Sequence, residues 1–179
     1  KAFGMSDYRI DFFPKAEFDV WFAGTPYTTG VKPVKTLKTW ATEEKADYTY
    51  NLAMFIMNDL GVKTDAYGIR KGRTLQDVRG KGKDLGYGGR TAERVVIDND
   101  NYCAGWTLAI KDGKIYTKVD KTLTARNANG FLKDGTYFQC QTVVVSTEYE
   151  FVKWVNDNYD VALMLMQDGG GSTGKYDAI

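Results

Sequence analysis

The sequence predicts a single α+β domain: a twisted, mixed but largely antiparallel sheet with β-hairpins and two or three packed helices. Twelve Tyr, nine Phe and four Trp against only three Pro favour strands, which accommodate aromatic side chains on their pleated faces. Asp-Gly pairs between strand-like runs indicate hairpin turns. Apolar residues at helical spacing and a helix-capping pattern indicate the helices. A chain of 179 residues is long enough for one hydrophobic core, so we expect residues 1–179 to form one domain.

The N-terminal third is predicted to contain strands and one helix. Segments 8–13 and 18–22 have strand-like composition with partial alternation of apolar residues. Pro33 precedes a predicted helix over 34–44, in which apolar residues recur at helical spacing. The largely apolar run 48–57 predicts one mostly buried strand.

Three short segments with Gly predict tight turns: 70–73, 111–114 and 133–136. Strand-like runs flank the second and third, so both are predicted to be β-hairpins. The first opens a stretch, residues 70–94, that holds eight Lys or Arg against three Asp or Glu, together with six Gly. We expect this stretch to be a mobile basic surface loop. It would meet an anionic substrate, steer nucleic acid or simply be solvated, and the solvated loop is the commonest case.

The C-terminal third ends in a helix, a strand and a glycine-rich loop. Thr147 and Glu150 form a capping-box pattern at the start of a helix that is predicted to end near Asn158. The apolar run 161–166 shows no alternation, which predicts a central strand covered on both faces. This strand leads directly into Asp168.

Composition excludes several kinds of chemistry. The chain has no histidine, which removes Ser-His-Asp and Cys-His catalysis and histidine-based zinc sites. A net charge of +1 argues against a dedicated nucleic-acid binder. Cys103 and Cys140 are compatible with one disulfide or with two buried thiols, and we favour the thiols. No stretch approaches the roughly 20 apolar residues that a membrane span needs.

The segment Asp168-Gly169-Gly170-Gly171-Ser172 is the sharpest candidate site. A buried strand that ends in a carboxylate places that group at the edge of the sheet. Consecutive glycines allow main-chain N–H groups to approach a phosphate or sugar hydroxyls closely. A flexible linker has the same composition and is the alternative reading. Residues 169–175 also fit the first seven positions of a P-loop, but Tyr176 stands where that motif needs Ser or Thr.

Three motifs together resemble the phosphodiester glycosidase family. Residues 126–135, Arg-Asn-Ala-Asn-Gly-Phe-Leu-Lys-Asp-Gly, resemble its R-T-x-x-G-x-x-x-D-G hairpin. The strand that ends in residues 168–172 resembles its N-L-D-G-G-G-S signature, and residues 50–55 resemble its N-x-G-x-F strand. The chain departs from these patterns at Ala53, Asn127, Met166 and Gln167.

The resemblance implies hydrolysis of the glycosidic bond to phosphate in a sugar-1-phosphodiester such as a GlcNAc-1-phosphodiester, or in a related surface glycan. It implies Asp168 as the catalytic carboxylate and Arg126 as a clamp on the phosphate. The expected substrate-binding residues are Asn51, Asn127, Gly169, Gly170, Gly171 and Ser172.

We expect no cofactor, although Asp168 with nearby hydroxyls and carbonyls is chemically suited to Ca²⁺ or Mg²⁺. The expected protein is a monomer that acts outside the cell or at its surface on a glycan or sugar phosphate, without a nucleic-acid partner. Two alternatives stay open. One is a wall-active module of a phage or bacterial lysin that hydrolyses teichoic acid or peptidoglycan. The other is a non-catalytic carbohydrate-binding or anion-binding module.

Overall fold

The computed structural model of the chain describes residues 7–14, 37–45, 47–51, 55–58, 61–64, 69–70, 73–74, 94–98, 101–105 and 107–177. Within these ranges the helices are α1 (Leu37–Glu44) and α2 (Glu148–Asn158). The strands are β1 (Tyr8–Phe13), β2 (Tyr48–Tyr50), β3 (Phe55–Asn58), β4 (Gly61–Thr64), β5 (Ile69–Arg70), β6 (Arg73–Thr74), β7 (Arg94–Asp98), β8 (Asn101–Ala104), β9 (Thr107–Lys111), β10 (Lys114–Ile115), β11 (Asn127–Leu132), β12 (Tyr137–Thr142), β13 (Val161–Met166) and β14 (Lys175–Asp177).

A sheet of six described strands, in the order β1-β12-β11-β13-β9-β10, organises this part of the chain. Every pairing between neighbours in it is antiparallel. Four further antiparallel pairs lie among the described strands, including β14 with β2. The α+β prediction, with a largely antiparallel sheet and two described helices, is confirmed.

Side chains alternate between the two faces of the six-stranded sheet, since successive residues of a strand point to opposite sides. One face, the helix face, packs against α2 through a buried apolar cluster that includes Phe138, Phe151 and Met164. The opposite face, the amide face, carries a smaller apolar cluster around Phe13 and Leu165. Its other inward positions on β11 and β12 are amides, whereas the inward positions of the helix face on these strands are apolar apart from Thr142.

Helix α2 begins and ends where the sequence predicts. The side-chain oxygen of Thr147 accepts a hydrogen bond from the Glu150 N–H at 3.1 Å, so the predicted N-cap forms. Phe151, Val152 and Val155 are fully buried against the sheet. The ring of Trp154 stacks on Tyr8 of β1 with 4.0 Å between centroids. The helix therefore packs on the sheet through residues 151–155.

The predicted hairpins also form. The turn over 111–114 joins β9 to β10, and the turn over 133–136 joins β11 to β12. The short strands β5 and β6 pair on either side of residues 71–72, in agreement with the turn predicted over 70–73. Strand β13 lies between β11 and β9, which confirms its central position.

The prediction of one strand over 48–57 is wrong. Residues 48–50 form β2 and pair with β14, whereas β3 begins at Phe55 and pairs with β4. Strand β2 ends at Tyr50, and the Asn51 side chain makes hydrogen bonds with Asp168 and Gly174 of the glycine-rich loop and with Gln141 of β12. A local apolar run cannot reveal these partners, since they lie far away in the sequence.

Some predictions fall outside the described residues. The segment 18–22, the start of the helix predicted over 34–44 and most of the basic stretch 70–94 are among them. Of the two cysteines, Cys140 is a buried free thiol, as favoured from the sequence, and burial raises its pKa above the ordinary range. In the described residues no helix is long and apolar enough to cross a membrane.

Candidate functional site

The glycine-rich loop that follows β13 is held firmly to the sheet. The Gly170 N–H donates to the carbonyl oxygen of Ala125 at 2.7 Å, and Gly170–Ser172 form one turn of 3₁₀ helix. The Gly174 N–H donates to the side-chain oxygen of Asn51 at 2.8 Å, and β14 then pairs with β2. These contacts at both ends exclude the alternative reading of a free linker.

Two of the predicted site residues, Asn51 and Asn127, converge on the main chain at Asp168. The Asn51 Nδ2 donates to the Asp168 carbonyl oxygen at 2.7 Å. The Asn127 Nδ2 donates to the same oxygen at 3.2 Å and to the Asn51 carbonyl oxygen at 2.8 Å. These bonds fix the backbone at Asp168. Their acceptor is the main-chain carbonyl oxygen of Asp168 and not its side-chain carboxylate.

Two glutamines on β12 extend these contacts into a network of buried amides. The Gln139 Nε2 donates to the Asn127 Oδ1 at 2.6 Å. The Gln141 Nε2 donates to the Gly174 carbonyl oxygen at 2.7 Å, and to the Asn51 and Asn127 side-chain oxygens at 3.1 Å each. Both glutamines and Asn127 are at most 1% exposed. A buried amide is costly unless it is hydrogen-bonded, and each of these amides forms a hydrogen bond with another amide of the network.

The burial of Asn127 changes its expected role. Its side chain is 0% exposed, and both its amide nitrogen and its oxygen are engaged by the protein. The Asn51 side chain is engaged in the same way, by Asp168, Gln141 and Gly174. Both residues were expected to bind substrate. In the structure their side chains hold the loop, and substrate binding by either stays a prediction.

The three glycines of the loop differ in what requires them. A Cβ on Gly169 would lie 2.5 Å from the Ala125 carbonyl oxygen, so a side chain does not fit there. Gly170 has a φ of +59°, a conformation that L-residues rarely adopt. Gly171 is exposed, and nothing in the described structure lies within 4 Å of the Cβ position. Packing and strain therefore explain two glycines, and the bare backbone at Gly171 is left open to solvent.

Protein groups engage the guanidinium of Arg126, and its expected role as a phosphate clamp stays a prediction. Its Nε donates to the Ser146 carbonyl oxygen at 3.0 Å, and its Nη2 donates to the Thr122 carbonyl oxygen at 2.7 Å. The carboxylates of Asp120 and Glu148 lie 3.4 and 3.9 Å from the guanidinium, which is only 14% exposed. These partners belong to the side of the sheet that α2 covers, so the guanidinium holds the helix start and not the loop.

Glu148 shares this environment. Burial raises its pKa above the ordinary 4.5, and the positive charge of Arg126 opposes the shift. The Arg126 ion pairs therefore compensate a carboxylate that folding has removed from water.

A second polar cluster, which the sequence did not predict, lies on the amide face beside the network. The Asp11 Oδ2 lies 2.9 Å from the Lys175 ammonium and accepts a short hydrogen bond from the Tyr50 hydroxyl. The same ammonium lies over the rings of Tyr48 and Tyr50, 5.3 and 5.8 Å from their centroids. Burial and Asp11 raise the pKa of Tyr50 far above 10.0, so its hydroxyl keeps the proton that it donates. The cluster ties β14, and thus the loop, to β1.

The sequence does carry a signal for the network. Asn127 and Asn129 on β11, and Gln139 and Gln141 on β12, recur at every second residue within hairpin strands. Amides at period two on a strand share one face of the sheet. Their burial, however, depends on β2 and β14, whose placement the pattern does not contain.

Ser172 lies in the 3₁₀ turn, and its side chain is outside the described residues. The part of the chain that the structure describes contains no group of three or more Cys, Asp or Glu placed to hold a metal ion. Whether Asp168 binds a divalent cation stays a prediction.

Comparison with protein-family models gives no match, and neither does comparison with curated proteins. Among solved structures, the chain is similar to the catalytic domain of zebrafish N-acetylglucosamine-1-phosphodiester α-N-acetylglucosaminidase, auto-inhibited by pro-peptide, with a TM-score of 0.59 at 18% identity. The match covers 79% of this chain and 57% of that chain, so this chain spans little more than half the length of its structural neighbour. At this identity the likeness shows a shared fold.

Proposed function

We propose that this chain is a glycoside hydrolase that cleaves the bond between a sugar and phosphate in a sugar-1-phosphodiester, such as a GlcNAc-1-phosphodiester. The observation that carries the proposal is the anchoring of the Asp168 loop at the end of the central strand by Asn51 and Asn127. A loop fixed in this way keeps a carboxylate and bare backbone in a constant relative position. The reaction named for the zebrafish structural neighbour supports the choice of substrate.

The chemistry suits the residues that are present. Phosphate monoester is a good leaving group, so the reaction needs less general-acid assistance than the hydrolysis of an ordinary glycoside. The main requirement is a negative charge near the oxocarbenium-like centre, which Asp168 would supply as nucleophile, base or electrostatic partner. Main-chain N–H groups of the loop would approach the sugar derivative at Gly171, where the surface is open.

The test compares Asp168→Asn with the wild type on a GlcNAc-1-phosphodiester and, separately, on purified cell walls. We expect turnover of the phosphodiester by the wild type and a loss of about 100-fold or more in the variant, with an unchanged unfolding temperature. Asp157→Asn is the matched control, because Asp157 is an exposed residue of α2 whose side chain pairs with Lys153. Its activity should equal that of the wild type.

Each other outcome points elsewhere. Full activity in Asp168→Asn would refute the assignment of the carboxylate. Cleavage of walls without cleavage of the phosphodiester would favour the wall-active hydrolase. Saturable sugar binding with no cleavage of either substrate would favour the non-catalytic module.

A further inference from the structure

Arg9 of β1 has an unusual set of partners for a half-buried arginine. Its Nε donates to the Gln141 Oε1 at 2.8 Å, and its Nη2 donates to the same oxygen. Among the described residues it has no carboxylate partner, whereas Arg126 lies between Asp120 and Glu148. Two N–H donors on one edge of the guanidinium are thus spent on a single neutral oxygen, and no described carboxylate pairs with its positive charge.

The charge of Asp11, two residues along the same face of β1, does not compensate Arg9. The Asp11 carboxylate pairs with Lys175 and accepts from Tyr50. Among the charged groups that the structure describes on the amide face, Arg9 is therefore not paired with a carboxylate. A guanidinium has five N–H donors in a fixed planar fork, so the contact with Gln141 orients Arg9 while leaving donors for another ligand.

Gln141 also connects Arg9 to the candidate site. Its Nε2 donates to the Gly174 carbonyl oxygen at 2.7 Å and to the Asn51 Oδ1 at 3.1 Å. Asn51 in turn donates to the Asp168 carbonyl oxygen. One side chain therefore separates the guanidinium from the backbone that closes the loop, and each hydrogen bond along this path donates in the same direction, away from Arg9.

We propose that Arg9 binds the anionic group of the substrate, the role that the sequence suggested for Arg126. The identity of that anion as the phosphate of a sugar-1-phosphodiester rests on the proposed function. Gln141 is neutral, so it holds the fork in place and leaves the positive charge of the guanidinium intact. An aspartate at this position would cancel that charge. A phosphate oxygen pair is the partner that matches the geometry of the remaining donors.

The direct test is a calorimetric titration of the full chain with inorganic phosphate, which needs no turnover. We expect saturable binding by the wild type and a dissociation constant raised about 10-fold or more in Arg9→Gln, since hydrogen bonds to charged groups are among the stronger ones. Arg9→Lys keeps the charge but loses the fork, so its affinity should be intermediate. Lys133→Gln removes an equal charge from the exposed β11–β12 turn and should bind phosphate as the wild type does.

Thermal unfolding of each variant shows whether it is folded at the titration temperature. If Arg9→Gln is unfolded there, the comparison is made between the wild type and Arg9→Lys. Equal phosphate affinity in wild type and folded Arg9 variants would overturn the inference, as would a wild type that does not bind phosphate saturably.

Kinetics separate this inference from the proposed function. On a GlcNAc-1-phosphodiester, Arg9→Gln should lose at least about 10-fold in kcat/KM, whereas on an uncharged aryl GlcNAc glycoside it should change little. An active enzyme whose phosphodiester turnover does not depend on Arg9 refutes the inference alone. A protein that cleaves neither substrate, yet binds phosphate through Arg9, refutes the proposed function alone.

Discussion

Replacing Asn127 by Ala tests the buried network that holds the candidate site. The substitution removes an amide that is 0% exposed and takes part in four hydrogen bonds. Two partners would keep another bond: the Asp168 carbonyl oxygen retains Asn51, and the Gln141 Nε2 retains Gly174. Two others, the Asn51 carbonyl oxygen and the Gln139 Nε2, would have no remaining hydrogen bond among the described residues.

Each buried group left without a partner costs about 1–3 kcal/mol, so we expect Asn127→Ala to lower the free energy of unfolding by about 2–6 kcal/mol. This is a large share of the roughly 5–15 kcal/mol that stabilises a typical domain. Urea unfolding measures the loss as a lower midpoint at an unchanged m-value.

Asn158→Ala is the matched control. Asn158 is exposed at the end of α2, where its Nδ2 donates to the Trp154 carbonyl oxygen at 2.8 Å. The same chemical change there should alter stability by no more than about 0.5 kcal/mol. If Asn127→Ala costs no more than Asn158→Ala, water must reach the network freely, and the argument that buried amides fix the loop fails.

Three further substitutions test the loop and the helix face. Gly169→Ala places a Cβ 2.5 Å from the Ala125 carbonyl oxygen and should destabilise the protein by about 1–3 kcal/mol in urea unfolding; a neutral result would mean that the loop can move away. Gly171→Ala meets open space, so its stability should change by less than about 0.5 kcal/mol while its affinity for substrate falls. Unaltered affinity would place the ligand elsewhere. Because burial raises the pKa of Glu148 in the folded state, its proton stabilises folding at low pH, and this contribution is lost as pH rises from about 4.5 through the folded pKa. Glu148→Gln should therefore gain stability relative to the wild type as pH rises through this window, with no gain below it; a pH-independent difference would contradict the shift.

Features set by neighbouring residues could be predicted from the sequence. The N-cap at Thr147 and the turns over 111–114 and 133–136 depend on partners within a few residues. Local patterns carry the information for such contacts, because the residues that make them are adjacent in the chain.

Features set by distant residues could not be predicted from the sequence. In place of the strand predicted over 48–57, β2 pairs with β14, β3 pairs with β4, and Asn51 bonds to Asp168, 117 positions away. The sequence offered Arg126 as the anion-binding residue on the strength of its motif, and no local pattern reveals that Asp120 and Glu148 surround it.

The sequence alone determined the α+β class, the exclusion of histidine chemistry and the position of a carboxylate directly after a buried strand. Tertiary structure decided which face each polar side chain occupies and which charges are compensated. Arg9 and Gln141 illustrate the reason: they are 132 positions apart, and only the pairing of β1 with β12 brings them together. A side chain's role as ligand-binding group or structural contact depends on neighbours that folding supplies.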